Sequence, residues 1–201
     1  MSYRIFNIAI TGVGGQGIIT LSKLIGRSAL LEGFDVRVAE IHGMAQRGGS
    51  ILTHIRFGKE VYSSLIPKFS ADILLGLEAI EVARYIDYLA PGGYLLLSDH
   101  IIRPPMAEVR ITVPEIVANI RAAFHDNVNT YVIDAYRKAL ELGNAALENT
   151  IMLGALCALN IVSITKESFI KAIKDVIPPR YLEINLTAFE EGYKSVHGKT
   201  R

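Results

Sequence analysis

The chain has 201 residues, half of them hydrophobic and one fifth charged, a composition that supports a substantial core and excludes an intrinsically disordered protein. Twenty-one basic and twenty acidic side chains leave a formal net charge of +1, which disfavours nucleic-acid or membrane binding through a broad field of one sign. The single cysteine, Cys157, excludes an internal disulfide and cannot by itself ligate an iron–sulfur cluster or a structural zinc.

The two most apolar stretches do not indicate a targeting or membrane segment. The start MSYRIFNIAI lacks a basic region followed by an apolar core, so we interpret it as a strand and not as a signal peptide. Residues 151–164 are interrupted by Asn160 and are shorter than the roughly 20 residues that span a bilayer. We therefore expect a cytoplasmic protein with neither a membrane nor a nucleic acid as partner.

Up to about residue 147, apolar strands alternate with amphipathic helices. Strands are predicted over 4–11, 35–41, 50–57, 71–78, 94–99, 108–113 and 129–135, with helices over 18–33, up to Tyr88, and after Pro114. The stretch FGKEV is interpreted as a hairpin turn into a further short strand. This alternation predicts an α/β, Rossmann-like fold whose mostly parallel sheet has helices on both faces.

From Glu148 onward the pattern is helical only. Three amphipathic or apolar segments follow one another, separated by the break at Pro178 and Pro179. We expect one domain over 1–201, in which a sheet core at 1–147 carries a helical extension at 148–201 packed on it.

A glycine-rich loop, GVGGQG, joins the first strand to the first helix. Its spacing is G-x-G-x-x-G: Gly12 would permit a tight turn, Gly14 a close approach to phosphate, and Gly17 close packing of helix on strand. Glu40, at the end of the second strand, stands where a ribose-binding carboxylate would stand. The pattern fits two interpretations of this loop: it binds a pyrophosphate, or it only connects the strand to the helix.

A second glycine-rich loop, HGMAQRGG, enters the strand at 50–57. It contains Gln46, Arg47 and Gly48 and is expected at the same carboxyl edge of the sheet, where open α/β sheets bind ligands. Arg47 could equally be solvated beside simple turns. His42 and His54 are interpreted as structural residues, because no further ligand lies at metal-binding spacing.

Four motifs in order along the chain carry a family resemblance. They are GVGGQGI, EIHGMAQRGGS with HIRFG behind it, IDA at 133–135 and ENTIMLGAL at 148–156. Together they closely resemble the gamma subunits and gamma domains of the 2-oxoacid:ferredoxin oxidoreductases, in particular the small subunit of the indolepyruvate branch. The resemblance covers nearly the whole chain.

The resemblance implies a role in an enzyme complex. Such a complex decarboxylates a 2-oxoacid, here an arylpyruvate, on thiamine diphosphate, reduces ferredoxin through iron–sulfur clusters and releases the acyl group to coenzyme A. It implies that thiamine diphosphate, Mg and [4Fe-4S] clusters belong to a large partner subunit. This chain would then have no catalytic and no metal-binding residue, bind no cofactor alone, and be inactive alone.

The resemblance also implies a shared coenzyme A site. Carried over onto this sequence, backbone N–H groups of Gly14, Gly15, Gln16 and Gly17 would face the nucleotide end, and Gln46 and Arg47 would contact phosphate. Asn149 would cap a helix whose N-terminus faces the ligand, although helix capping alone would explain this residue. Gly12 and Gly48 belong to the same two loops.

Two alternatives stay open. One is a gamma subunit of a pyruvate- or 2-oxoglutarate-type ferredoxin oxidoreductase. The other is a self-sufficient NAD-binding dehydrogenase or regulator, which Gly12, Gly14, Gly17 and Glu40 favour. The second alternative lacks support elsewhere, because only helices follow residue 148 and no second substrate-binding half is predicted.

Overall fold

The computed structural model describes residues 4–43, 48–103 and 111–197, leaving out the side chain of His197. In this part of the chain one sheet has the strand order β2-β3-β1-β4-β5-β6. Its strands are β1 Phe6–Val13, β2 Asp35–His42, β3 Ser50–Gly58, β4 Ala71–Gly76, β5 Leu89–Ser98 and β6 Asn129–Ile133.

Helices cover both faces of the sheet, as predicted. They are α1 Ile18–Leu31, α2 Ala79–Tyr85, α3 Val113–Ala123, α4 Ala135–Glu141, α5 Glu148–Ala158, α6 Lys166–Val176 and α7 Leu182–His197. Alternate residues of a strand face opposite cores: Ile8 and Ile10 pack with α1, α5, α6 and α7, whereas Ala9 packs with α2 and α3. In the described ranges, none of the helices is both long and apolar enough to cross a bilayer.

One strand runs against the others, which the sequence did not predict. β3 lies between β1 and β2 and is antiparallel to both. The pairs β1–β4, β4–β5 and β5–β6 are parallel, so the prediction of a mostly parallel sheet is confirmed. Because β2 and β3 are consecutive and antiparallel, no crossover helix is needed between them.

Three local predictions are wrong. FGKEV does not turn into a strand: β3 ends at Gly58 and residues 59–70 are irregular, held by the Arg56 guanidinium, which donates to the carbonyls of Ser63 and Leu65 at 3.0 and 3.1 Å. Residues 108–110 of the predicted strand at 108–113 lie outside the described residues; Thr112 is the N-cap of α3, and Val113 already belongs to that helix. The Thr112 hydroxyl and the Glu115 carboxylate form a capping box for α3. The last strand ends at Ile133, and residue 135 already belongs to α4.

Two of the C-terminal helices, α5 and α7, pack against each other through a close backbone contact. Every residue of α5 is buried, and this helix lies between the sheet and α7. A Cβ added to Gly154 in α5 would lie 1.9 Å from the Phe189 carbonyl oxygen, and one added to Gly192 in α7 would lie 1.8 Å from the Ile151 carbonyl oxygen. The two helix backbones therefore touch, and only glycine fits at both positions.

Gly154→Ala is expected to lower the free energy of unfolding by about 3 kcal/mol, because backbone atoms must move to admit the methyl group. Gly26→Ala in α1 is the matched control, since its Cβ would meet the Val36 side chain at an ordinary 3.7 Å. That control should gain about 0.5–1 kcal/mol from helix propensity. Urea unfolding followed by circular dichroism measures both, and equal effects would contradict the packing described here.

Candidate functional site

The candidate site lies at the carboxyl ends of β1 and β4. The helix that follows β1, α1, packs on one face of the sheet, and the helix that follows β4, α2, packs on the other. The connections that leave these two parallel strands therefore go to opposite faces of the sheet. In open α/β sheets this divergence opens a crevice, and ligands bind there.

The two glycine-rich loops meet at this edge, as predicted. The Gly14 N–H donates to the Gly49 carbonyl at 2.8 Å, and the Gly48 N–H donates to the Gly14 carbonyl at 3.3 Å. These bonds extend the antiparallel β1–β3 pairing beyond Val13 and Ser50. Gln46 and Arg47, the two predicted phosphate contacts of the second loop, lie outside the described residues.

Gly12 has a different role from the one predicted. It belongs to β1 and makes no turn, but a Cβ at this position would lie 2.7 Å from the Gln16 side-chain oxygen. Gly17, by contrast, has a left-handed backbone with φ 77° immediately before α1. Gly12 therefore makes room for a side chain, and Gly17 turns the chain into the helix.

The four amides predicted to face a ligand divide into two pairs. The N–H groups of Gly14 and Gln16 already donate to Gly49 and Val13, so this prediction is wrong for these two residues in the described conformation. No described residue accepts a hydrogen bond from the N–H groups of Gly15 or Gly17, and no side chain caps α1. The positive end of the α1 dipole is thus combined with two amides that are available to an anion.

The Gln16 side chain closes the crevice between β1 and β4. Its Oε1 accepts from the Val13 N–H at 2.7 Å, and its Nε2 donates to the Leu77 carbonyl at 2.8 Å and lies 3.4 Å from a Glu148 carboxylate oxygen. Val13 ends β1, and Leu77 directly follows β4. One amide side chain therefore ties the two diverging strands together, instead of facing a ligand.

Glu148 is the centre of a polar cluster that sequence reasoning missed. Its carboxylate accepts from the Ser98 hydroxyl at 2.7 Å and lies 3.0 Å from His100 Nδ1, and its residue is 2% exposed. The His100 ring is stacked on the Tyr136 ring with a centroid distance of 3.8 Å. The one available signal was a glutamate that opens an otherwise apolar helix in the motif ENTIM.

Asn149 does not cap its helix, which corrects the prediction. α5 begins at Glu148, its N-cap is Leu147, and Asn149 lies in the first turn. The Asn149 Nδ2 donates to the Gly17 carbonyl at 3.2 Å, and its Oδ1 accepts from the Thr150 hydroxyl at 3.0 Å. The side chain therefore joins α5 to the glycine loop.

A cleft of about 330 Å³ opens beside this loop. Its described lining residues carry no charge and combine amide with apolar side chains; they are Gly15, Gly17, Thr20, Asn144, Ala146, Leu147, Asn149, Ile177, Pro178, Tyr181, Ile184 and Asn185. The lining suits a ligand that has both amide groups and an aliphatic chain. Three of the predicted site residues, Gly15, Gly17 and Asn149, lie on its wall.

The structure places Glu40 too far away for the NAD-binding alternative. In a dinucleotide-binding fold the second strand lies directly beside the first. Here β3 lies between β1 and β2, so Glu40 is two strand spacings, or about 10 Å, from β1. Glu40 is also exposed and pairs in register with Thr53. The G-x-G-x-x-G spacing therefore lacks its ribose-binding partner.

Residues 7–195 match the pyruvate ferredoxin/flavodoxin oxidoreductase family. The chain belongs to this family. It is 37% identical to the indolepyruvate oxidoreductase subunit IorB of Thermococcus kodakarensis, over 94% of this chain and 95% of that protein. It is 34% identical to the 2-oxoglutarate synthase subunit KorC of Methanocaldococcus jannaschii, over 93% of this chain and 91% of that protein.

A solved structure has the same fold. It is a 2-oxoglutarate:ferredoxin oxidoreductase from Magnetococcus marinus with 2-oxoglutarate, coenzyme A and succinyl-CoA bound, with a TM-score of 0.76 and 21% identity. The match covers 99% of this chain and 32% of that chain. The family resemblance drawn from the sequence is thus confirmed, and the chain is one subunit of a multi-subunit oxidoreductase.

Gly17→Ala is expected to destabilise the chain more than Gly33→Ala does. Both positions have positive φ, which costs alanine about 1–2 kcal/mol, but only at Gly17 would the new Cβ meet another group, the Asn149 amide nitrogen at 2.3 Å. Adding Asn149→Ala should remove that contact and make the double variant less destabilised than the sum of the single ones. Urea unfolding of the four variants provides the values; strict additivity would refute the contact.

Proposed function

We propose that this chain is the small subunit of a 2-oxoacid:ferredoxin oxidoreductase that acts on arylpyruvates such as indolepyruvate, and that it supplies part of the coenzyme A site. The substrate class is supported by the 37% identity to an IorB subunit over nearly the full length of both proteins. A 2-oxoglutarate-type enzyme is the second candidate, supported by the 34% identity to a KorC subunit.

The observation that carries the coenzyme A assignment is the pair of available amides at the wall of the cleft. Gly15 and Gly17 offer N–H groups at the start of α1, where the helix dipole favours phosphate. Coenzyme A combines phosphates with a long arm that contains amides and methylenes. The side-chain amide of Asn144 and the apolar side chain of Ile184, both in the same cleft, match that arm.

The redox centres of this chemistry fit a partner subunit and not this chain. The one cysteine, Cys157, is buried, and burial raises the pKa of its free thiol to about 11. One sulfur cannot by itself supply the ligand set of an iron–sulfur cluster. No group of three or more metal-ligating side chains occurs within 4–43, 48–103 and 111–197. We place thiamine diphosphate, Mg and the [4Fe-4S] clusters on a large partner subunit, from which ferredoxin takes the electrons.

Reconstitution with such a large subunit tests the proposal. Indolepyruvate, phenylpyruvate, pyruvate and 2-oxoglutarate are each supplied with coenzyme A, and reduction of ferredoxin is followed. Arylpyruvates should give the highest kcat/KM, and omission of either subunit should abolish turnover. A preference for 2-oxoglutarate would support the second candidate, and full activity of the large subunit alone would refute the assignment.

Ala146→Glu is expected to raise KM for coenzyme A about tenfold, because it adds a carboxylate to the wall of an uncharged cleft that takes an anionic ligand. Ala145→Glu is the matched control, since it places the same charge on the neighbouring exposed residue, outside the cleft lining. Steady-state kinetics of the reconstituted complex measures both. Equal KM values for the two variants would exclude the cleft as the coenzyme A site.

Arg47→Ala tests the second glycine-rich loop. Its neighbour Gly48 is hydrogen-bonded to Gly14, so the chain beside Arg47 is attached to the edge where the ligand would bind. Loss of a guanidinium–phosphate contact should raise KM for coenzyme A about tenfold and leave decarboxylation of the oxoacid unchanged. Arg47→Lys should fall between wild type and Arg47→Ala. An unchanged KM in Arg47→Ala would remove this residue from the site.

A further inference from the structure

The Glu148 carboxylate is buried at the meeting point of three segments of the carboxyl edge. Ser98 and His100 come from the end of β5, Gln16 from the glycine loop, and Glu148 itself from the first turn of α5. Ser98 Oγ, His100 Nδ1 and Gln16 Nε2 surround its two oxygens at 2.7, 3.0 and 3.4 Å. A buried carboxylate is tolerated only with such partners, so the cluster has a defined geometry.

The partners of Glu148 are themselves held in place. The His100 ring is stacked on Tyr136. Ser98 is the last residue of β5, which is paired on both sides, with β4 and with β6. The carboxylate is therefore a fixed anchor and not a mobile acceptor. Glu148 lines no part of the cleft, whereas its neighbours Leu147 and Asn149 do.

Two successive side chains of α5 hold two successive residues of the glycine loop. Glu148 contacts the side chain of Gln16, and Asn149 donates to the carbonyl of Gly17. Gln16 stands between Gly15 and Gly17, whose amides have no described acceptor. The direction of those two amides therefore depends on where α5 holds the loop.

We propose that Glu148 is a positioning residue for the coenzyme A site. It acts through Gln16: the anchored carboxylate keeps the Gln16 amide across the crevice between β1 and β4, and this fixes the loop that presents Gly15 and Gly17. Glu148 itself does not touch the ligand. The inference rests on the proposed function, because coenzyme A is the ligand whose binding the loop geometry improves.

Glu148→Gln in the reconstituted complex is the test. The substitution keeps the shape but replaces one carboxylate oxygen with an NH2 group. The two oxygens accept from the Ser98 hydroxyl and the Gln16 amide, so one of these acceptors is lost. KM for coenzyme A should rise about tenfold, the effect of losing one charge-assisted hydrogen bond, and kcat at saturating coenzyme A should stay within about twofold of wild type. Hydrogen–deuterium exchange of the peptide over 13–20 should become faster.

Glu167→Gln is the control, since it makes the same change at an exposed first-turn glutamate of α6 and should alter neither quantity. Gln16→Met is the second variant, because it keeps the length of the side chain and removes its hydrogen bonds to Val13, Leu77 and Glu148. It should raise KM in the same way. If Glu148→Gln fails to assemble with the large subunit, KM for coenzyme A in Gln16→Met tests the proposal instead.

Several outcomes would overturn the proposal. An unchanged KM, an equal loss in kcat without a change in KM, or failure of both variants to assemble would each show that Glu148 only stabilises the fold. Ala146→Glu distinguishes failure of the coenzyme A site from failure of the positioning role of Glu148. If Ala146→Glu raises KM and Glu148→Gln does not, only the positioning role fails; if Ala146→Glu has no effect, the coenzyme A site fails and the positioning role fails with it.

Discussion

A single side-chain amide holds the candidate site together. Gln16 bonds to the last residue of β1 and to the residue after β4, across the crevice where the two strands diverge. The Gln16 amide is partly buried, and both its oxygen and its nitrogen have partners within the protein, which favours the described conformation of the loop. The glycine at position 12 is required for the same reason, because a larger residue would displace the Gln16 oxygen.

The antiparallel strand β3 decides how a common glycine pattern is used. The G-x-G-x-x-G spacing occurs in dinucleotide-binding folds, where the neighbouring strand supplies the ribose-binding carboxylate. Here β3 takes that neighbouring position and carries a second glycine-rich loop to the same edge. The first glycine-rich loop is therefore hydrogen-bonded to Gly48 and Gly49 and is separated from Glu40 by β3. The strand order thus removes the ribose-binding carboxylate from the neighbourhood of the loop.

The helix α5 connects the core with the site. Its buried length packs against α7 so closely that Gly154 and Gly192 leave no room for a methyl group, and its first turn holds the glycine loop through Glu148 and Asn149. A helix that is held in its middle by backbone contact with α7 is a suitable support for a loop that must present two amides. This arrangement suits a subunit whose proposed contribution to the complex is binding geometry.

The sequence by itself determined the fold class, the family and the meeting of the two glycine loops, because strand–helix alternation and motif order are local properties of the chain. It also determined that the one cysteine, Cys157, cannot ligate a cluster. Only the tertiary structure decided which groups are available to a ligand. The N–H groups of Gly14 and Gln16 donate within the protein, whereas those of Gly15 and Gly17 have no described acceptor. Asn149 is hydrogen-bonded to the glycine loop and does not cap its helix. The sequence also did not reveal the direction of β3 or the burial of Glu148. Both depend on hydrogen bonds between residues that are far apart in sequence, and such bonds leave no periodic signal along the chain.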